Sequence, residues 1–450
     1  MDIKTMVEKA RAAQKEYEVN FNQEVVDKIV KTVGKTVYDN AETLARMAVD
    51  ETRMGVYEDK VAKNKGKSKA IWYNLKGKKS MGILNIDELT GLIEIAKPMG
   101  VVAGITPTTN PIVTPMSKIM FAMKTKNAII IAPHPRSKKC SGETVRLIKE
   151  ALKPFGVPED LIQCIDEPSI DKTTELMKAV DVIVATGGMP MVRSAYSSGK
   201  PSYGVGAGNV QVILDRHIDY KDAAAKVIAG RIFDNGIICS GEQSFIYPRE
   251  NRDQVMKAFE AGGAHIVPMS EKAAVVNAIF EDGHIAADVV GQSPKFIADK
   301  AKISIPEGTK VLVLEAEGYG AEDSISKEKM CPVLAAFPYD NFDEAIKIAK
   351  TNLELEGNGH TAAIHSNNQG NIVKAGSELS VSRCIVNAPS ATTAGGAIQN
   401  GLNVTNTLGC GSWGNNSISE NFTYKHLLNI TRVASLSPKI AIPTDEEIWS

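Results

Sequence analysis

The segment FDNGIICSGEQS, residues 233–244, carries the side chain best suited to covalent chemistry, Cys239. A helical pattern, DAAAKVIAGRIF, precedes it and an apolar strand pattern, SFIYP, follows, which predicts that Cys239 lies in a Gly/Ser-containing turn. Backbone amides around such a turn lower the pKa of a thiol and favour the nucleophilic thiolate. Free cysteines are more often small buried hydrophobes. That interpretation is kept for Cys140, Cys164, Cys384 and Cys410.

A second candidate is Asn110, in ITPTTNPIVTP, directly after the first strand pattern of the chain and before a helix. Its amide can donate a hydrogen bond to a developing oxyanion, together with the backbone N–H of Cys239. The alternative is that Asn110 caps the following helix, and the residue type alone favours capping.

Two further segments follow apolar strands and are suited to binding a dinucleotide. APHPRSK, residues 132–138, offers His134, Arg136 and Lys138 to a ribose hydroxyl or a 2′-phosphate, although a solvated basic turn would look the same. ATGG, residues 185–188, places glycines where a phosphate approaches the N-terminus of a helix. No GxGxxG fingerprint follows the first strand, so an ordinary Rossmann motif is not predicted.

Together these four segments resemble the aldehyde dehydrogenase superfamily. In that family an Asn after the first strand and a Cys after the cofactor domain form the reactive centre, which implies these roles for Asn110 and Cys239. The segment KEKMCPV resembles the one whose Glu contacts the nicotinamide ribose, which implies that role for Glu328; the alternative is a surface carboxylate. The resemblance also implies a set of residues that bind NAD or NADP: Thr106, His134, Arg136, Thr186, Gly187, Gly188 and Glu328.

Two features point to the CoA-acylating branch of that family. Hydrolytic members carry a Glu that activates water, whereas YGVGAGNV has Gly204 at the corresponding position. EGNGHTAAIHS and LGCGSWGNNSISEN resemble CoA-acylating members, and His360 is a candidate to deprotonate or orient CoA, or else a histidine with only a local hydrogen bond. ETRMGVYEDKVAKN, CSGEQS and KHLLNI…EIWS look most like enzymes acting on succinyl-CoA and succinate semialdehyde. Sister enzymes for acetaldehyde, propanal and sulfoacetaldehyde share the core motifs.

A substrate with a distal carboxylate needs a cation or several donors near the nucleophile, because an unpaired desolvated carboxylate is costly. Ser240 adjoins Cys239 and offers a hydroxyl. Lys67 is the first candidate cation, in what the sequence suggests is a Lys-rich turn before an apolar helix; Arg383 is the second. The alternative for Lys67 is a solvated basic face formed with Lys63, Lys65 and Lys69.

The elements around these residues predict an α/β fold of the aldehyde dehydrogenase type. The first ~60 residues have helical periodicity, and from about residue 98 short apolar strands, VQVIL among them, alternate with helices. This alternation predicts a doubly wound parallel sheet with a ligand at the carboxyl ends of its strands. The expected division is a dinucleotide-binding domain at 1–230, a catalytic α/β domain at 231–415 and a return to the first domain at 416–450.

A β-hairpin near 80–98 and the C-terminal tail are candidates for subunit contacts in a homodimer or homotetramer. The N-terminal helix is expected to pack on the cofactor domain; the alternative is a microcompartment-targeting peptide. No secretory signal is recognisable.

Composition narrows the function classes further. The net charge is -1, from 52 basic and 53 acidic residues, which gives no reason to expect a nucleic-acid or membrane partner. The 6 cysteines form no CxxC pair and indicate free thiols in a reducing cytoplasm. The 7 histidines form no cluster, so no metal site is expected.

Overall fold

The computed structural model describes residues 1–450 and has the alternating strands and helices of an α/β protein. The strands are β1 (Gly82–Asp87), β2 (Leu92–Pro98), β3 (Val101–Ile105), β4 (Ala128–Ala132), β5 (Ile162–Cys164), β6 (Val182–Thr186), β7 (Ser202–Val205), β8 (Val210–Leu214), β9 (Glu242–Pro248), β10 (Ala264–Ile266), β11 (Phe280–Glu281), β12 (His284–Ile285), β13 (Val311–Glu315), β14 (Val333–Tyr339), β15 (Ala362–His365), β16 (Cys384–Val386) and β17 (Leu428–Ala434).

The helices are α1 (Ile3–Asn20), α2 (Gln23–Asp39), α3 (Ala41–Thr52), α4 (Tyr57–Leu75), α5 (Val113–Lys124), α6 (Lys138–Leu152), α7 (Ile170–Ala179), α8 (Met189–Tyr196), α9 (Tyr220–Ile232), α10 (Arg252–Ala261), α11 (Met269–Ile279), α12 (Pro294–Ala301), α13 (Phe342–Leu355), α14 (Gln369–Glu378), α15 (Ser390–Thr393) and α16 (Asp445–Trp449). Short 3-10 turns connect several of them.

The first parallel sheet has 5 strands in the order β5-β4-β3-β6-β7. Strands β3 and β4 are buried along their whole length, as expected for a sheet covered by helices on both faces. Ile105 aligns with Ala132 on one side and Ala185 on the other, so the carboxyl ends of the three central strands form one edge. The loops expected to bind the cofactor therefore leave the sheet side by side.

The second parallel sheet has 7 strands in the order β10-β13-β14-β9-β8-β15-β16. The sequence placed VQVIL in the first sheet, and that assignment is wrong, because β8 pairs with β9 and β15. Only the short segment 206–209 separates β7 from β8. Parallel neighbours in one sheet need a crossover of about a dozen residues or more, so the chain has to enter a different sheet here. The change of sheet thus comes before the expected boundary at residue 230.

The hairpin β1–β2 is antiparallel, and β17 adds to β2 to complete a 3-stranded sheet. The predicted hairpin is confirmed, and the C-terminal segment returns to it. Helix α1 packs its apolar face, including Ala10 and Tyr17, into the core of the first sheet. No helix is both long and apolar enough to cross a membrane. The predicted fold class is confirmed.

Candidate active site

A cavity of about 620 Å³ lies where α4, the loop after β3, the loop before β9 and the segment after α15 meet. Its lining includes Lys67, Asn110, Cys239 and Ser240, which the sequence singled out from three separate segments. The cavity therefore brings the expected nucleophile, oxyanion donor and substrate cation into one space.

Cys239 lies in the predicted turn between α9 and β9, where Gly241 N donates to Ile238 O at 2.8 Å. The backbone N–H of Cys239 donates to no other backbone group, so it is available to an oxygen in the cavity. As a whole residue, Cys239 is half-buried. The backbone of Cys239 packs closely against Gly208, because a Cβ added to Gly208 would lie 1.7 Å from Cys239 O.

The expectation of a lowered thiol pKa is wrong. Burial, followed by the proximity of Glu328, raises the pKa of Cys239 to about 12. Arg383 and the cysteine's own backbone N–H act in the opposite direction but do not outweigh burial. The turn supplies amides as predicted, but the apolar surroundings dominate.

Asn110 does not cap α5, so the capping interpretation is wrong. Helix α5 begins at Val113 with Ile112 as its cap residue and has no side-chain cap. The Oδ1 atom of Asn110 accepts instead from Lys63 Nζ at 2.7 Å, and its Nδ2 makes only a long contact of 3.4 Å to Thr109 Oγ1. The amide N–H groups are thereby left for the cavity.

A buried charge cluster beneath the cavity was missed by sequence reasoning. Asp234 Oδ2 accepts from Lys60 Nζ at 3.0 Å and from Lys63 Nζ at 2.6 Å, and Oδ1 accepts from Val56 N at 2.8 Å. Burial opposes ionisation of Asp234, but Lys63 and Lys60 outweigh it and hold its pKa below the ordinary value. The available signal was helical spacing, since Lys60, Lys63 and Lys67 share one face of α4.

Lys67 lies within α4, a continuous helix, so the predicted Lys-rich turn is wrong. Its Nζ donates to Gly395 O at 3.1 Å and Thr405 O at 3.4 Å and has no carboxylate partner. Burial lowers its pKa to about 8, and the proximity of Cys239 partly opposes this shift. Lys67 is therefore a desolvated cation in the cavity and not part of a solvated face.

Ser240 lines the same cavity but is only 3% exposed, and its Oγ donates weakly to Ala391 O at 3.4 Å. Arg383 is close enough to Cys239 to influence its thiol, yet its guanidinium donates to Gly409 O and, at 3.4 Å, to Thr361 Oγ1. Arg383 is thus held by Gly409 and Thr361, on two other segments of the chain, and does not line the cavity.

His360 is fully buried, and its Nδ1 lies 2.9 Å from Thr361 Oγ1. Its Nε2 has no partner, and burial, with a contribution from Arg383, lowers its pKa to about 3. A neutral imidazole with one free nitrogen suits orientation of a thiol better than storage of its proton.

Glu328 is close to Cys239 and to the backbone N–H of Gly208. Burial, followed by the charge of Glu356, raises the pKa of Glu328 to about 8. The backbone N–H of Glu328 itself donates to Glu356 Oε2 at 2.7 Å. Glu328 therefore lies beside the reactive centre and is not a surface carboxylate.

The carboxyl edge of the first sheet fits a dinucleotide. Thr106, directly after β3, is 3% exposed and its Oγ1 has no hydrogen-bond partner. Gly188 caps α8 without a side-chain bond, and a Cβ added to Gly187 or Gly188 would meet only Met191 or Pro190 at van der Waals distance. Backbone N–H groups there are open to a phosphate. Thr186 Oγ1 lies 3.3 Å from Thr407 Oγ1 on the neighbouring segment.

His134 and Arg136 follow β4 at the same edge and are exposed. His134 Nδ1 accepts from Arg136 N at 3.1 Å and caps the short turn there, which leaves the Arg136 guanidinium free toward solvent. The structure thus places both residues on the edge where the sequence expected the adenosine ribose.

Position 204 has no room for the side chain that hydrolytic relatives carry. Gly204 lies in β7, and a Cβ there would lie 2.7 Å from Val192 Cγ1 and 2.9 Å from Tyr196 Cε2. Helix α8 occupies that space, so this position has no side chain that could act as a base.

Comparison with known proteins aligns nearly the whole chain. The model of the aldehyde dehydrogenase family matches residues 1–308. The chain is 53% identical over 450 residues to the succinate-semialdehyde dehydrogenase (acetylating) of Clostridium kluyveri, covering 100% of this chain and 99% of that protein. It is 42% identical to the sulfoacetaldehyde dehydrogenase of an Acholeplasma species, covering 98% and 92%. The crystal structure of an acetylating aldehyde dehydrogenase from Geobacillus thermoglucosidasius matches with a TM-score of 0.94 and 39% identity, over 98% of each chain.

Proposed function

The chain belongs to the aldehyde dehydrogenase family and is an acylating aldehyde dehydrogenase, and from this premise we propose that it interconverts succinyl-CoA and succinate semialdehyde. Enzymes of this kind use NAD(P) and CoA. The relative from Clostridium kluyveri, named for succinate semialdehyde, supports the substrate. The observation that carries the proposal is Lys67, a cation without a carboxylate partner in the cavity of Cys239.

In the proposed reaction the Cys239 thiol releases its proton to solvent, and its sulfur bonds to the carbonyl carbon of the substrate. Asn110 Nδ2 and the backbone N–H of Cys239 donate to the oxygen as it gains charge, which is worth most in a site shielded from water. The nicotinamide cofactor supplies hydride transfer when bound, and Thr106, Gly187, Gly188 and Glu328 would hold it. Gly204 offers no base for water, so the thioester waits for the thiol of CoA.

Lys67 would bind the distal carboxylate of the succinyl group. An unpaired ammonium that burial already penalises gains from a carboxylate partner, because the ion pair offsets the desolvation of both groups. Arg383 is less suited, because its donors are held by Gly409 and Thr361. Ser240 lies too close to the nucleophile to reach the far end of the chain and would instead contact the first carbons.

A sulfonate would satisfy the same cation, and the relative named for sulfoacetaldehyde makes this the second candidate. The two substrates differ in length, since the sulfonate lies one bond from the α-carbon. A panel of succinate semialdehyde, sulfoacetaldehyde and butanal therefore separates charge from chain length.

The test replaces Lys67 by Met, which keeps the length of the side chain and removes its charge. We expect the KM for succinate semialdehyde to rise by about tenfold to a hundredfold, the range for loss of a hydrogen bond to a charged group. The KM for butanal, which lacks the carboxylate, should change little. Lys65→Met is the matched control, since Lys65 lies on the same helix but pairs with Glu42 at the surface.

Equal changes for both aldehydes would refute the role of Lys67, and Arg383→Met would then be measured with the same pair. Cys239→Ala should remove activity with every substrate, whereas Cys164→Ala should retain it. Normal turnover in Cys239→Ala would refute the thioester mechanism as a whole.

The proposed setting is the cytoplasm. All cysteines, Cys239 among them, are free thiols, and a reducing compartment keeps the nucleophile active.

A further inference from the structure

Cys239 and Asn110 belong to different sheets, so a third element that contacts both has to hold them in a fixed relative position. Asn110 follows β3 of the first sheet, whereas Cys239 precedes β9 of the second. Helix α4 lies against both loops and contributes Lys63 to the cavity wall. The contacts of Lys63 reach both sides.

On the nucleophile's side, Lys63 binds the loop through Asp234. Asp234 lies in the 3-10 turn that leads to Cys239 and adopts a left-handed conformation, with φ 53° and ψ 39°. Its side chain is fully buried, and its backbone N donates to Asp59 Oδ2 at 2.8 Å. A carboxylate held this firmly is a rigid anchor, and a non-glycine residue keeps such a backbone conformation only where its surroundings impose it.

On the oxyanion side, Lys63 fixes the orientation of the Asn110 amide. An ammonium has only donors, so the Asn110 atom that faces Lys63 Nζ at 2.7 Å must be the carbonyl oxygen. The NH₂ end consequently points away from Lys63. The positive charge of Lys63 beside the carbonyl oxygen also draws electron density from the amide nitrogen, which makes the amide N–H groups stronger donors.

We propose that Lys63 is a positioning residue, which aims the amide N–H groups of Asn110 at the reacting carbonyl oxygen and is anchored by Asp234 to the loop of Cys239. The inference rests on the proposed role of Asn110 as oxyanion donor. Lys63 acts through Asn110 and does not itself bond to the substrate.

The same cluster supplies a matched control. Lys60 and Lys63 both donate to Asp234 Oδ2, and both side chains are nearly buried, at 4% and 8% exposed. Only Lys63 contacts Asn110. Removing either lysine leaves one lysine to balance Asp234, so the charge of the cluster changes equally in the two variants.

The experiment compares kcat for succinyl-CoA reduction in Lys63→Met, Lys60→Met, Asn110→Ala and the double variant of Lys63→Met with Asn110→Ala. Loss of an oxyanion donor lowers kcat by about 10²–10³, and misplacement of a catalytic group costs about 10²-fold. We expect Lys63→Met to lower kcat by about 10²-fold, with the KM for the cofactor unchanged. Lys60→Met should lose far less, and the double variant should be no slower than Asn110→Ala alone.

Each outcome bears on the inference. Additive losses in the double variant, or equal losses in Lys60→Met and Lys63→Met, would mean that Lys63 acts through the fold, and the inference would be wrong. Normal kcat in Asn110→Ala would overturn the oxyanion role and the inference with it, whereas normal kcat in Lys63→Met alone would overturn only the inference. Thermal unfolding and cofactor binding are measured for each variant to check that it is folded. If Lys63→Met is unstable, Lys63→Gln is measured in the same cycle, because a glutamine amide can still donate to Asp234.

Discussion

We propose that Glu328 couples cofactor binding to pH. Because its pKa lies near 8, the carboxyl group carries a proton at neutral pH, whereas ribose hydroxyls donate to the ionised form. Binding through this residue would therefore release a proton. The pKa of Glu328 would then be lower in the complex, so affinity should increase as pH rises toward about 8 and level off above it, with a slope of about tenfold per pH unit at most.

The measurement is a titration with the oxidised cofactor across this pH range, followed by the fluorescence of the protein's 3 tryptophans. Glu328→Gln should bind more weakly and lose the pH dependence. Glu356→Gln removes the neighbouring charge that helps to raise the pKa of Glu328, so it should move the dependence to lower pH. A pH profile that survives in Glu328→Gln would show that another group is responsible.

The role of a residue could be predicted where it depends on neighbours in the sequence, and not where it depends on partners that are distant in the sequence. Cys239 was predicted to be the nucleophile from its own turn, and the structure confirms that turn. Lys63 and Lys67 look alike in the sequence, yet Lys63 meets partners 47 and 171 residues away, and Lys67 meets carbonyl groups 328 and 338 residues away. The thiol pKa was mispredicted for the same reason, because burial comes from the whole fold.

Among the elements, we expect the segment between β7 and β8 to govern the position of Cys239, the proposed nucleophile. It crosses from the first sheet to the second and passes against the loop of Cys239 at Gly208, whose N–H also reaches Glu328. Gly208→Ala places a methyl group 1.7 Å from Cys239 O, so the loop must move. We expect kcat to fall by about 10²-fold or more, the cost of misplacing a catalytic group.

Gly142→Ala is the control for this variant, because nothing lies within 4 Å of a Cβ there. The readouts are steady-state kcat and the rate of Cys239 alkylation. Wild-type values of both in Gly208→Ala would mean that the loop yields without cost.

The periodicity of apolar residues predicted most elements, because burial of one helix face or of both strand faces determines the pattern of neighbouring residues. That pattern does not show to which sheet a strand belongs, and VQVIL suits either sheet. The four-residue link before it excluded a parallel neighbour in the same sheet, and this length constraint was the usable signal. Helix α4 was misread as a turn because its first turns have few apolar residues, so apolar periodicity does not mark it as a helix.

At the scale of the whole molecule, the cavity is formed within one chain, whereas another surface of that chain is left apolar and exposed. The 3-stranded sheet carries exposed Ile86 and Leu89 at its hairpin, and the segment after β17 exposes Leu436, Ile442 and Trp449. Large apolar side chains exposed on one sheet and on the segment that follows it are typical of a protein contact. We propose that this surface joins copies of the chain into a homodimer or homotetramer.

Charged substitutions on this surface should dissociate the oligomer. Each buried apolar side chain contributes about 1.5–3 kcal/mol, so the paired substitutions Ile442→Asp and Trp449→Asp should shift the mass measured by light scattering toward one chain. Ile170→Asp, at a similarly exposed apolar residue on α7, is the control and should leave the mass unchanged. Because Lys63, Asn110 and Cys239 come from a single chain, the dissociated protein should still be alkylated at Cys239. A single-chain mass for the unaltered protein would show that there is no oligomer. An unchanged oligomer in the paired variant would show that the contact lies elsewhere.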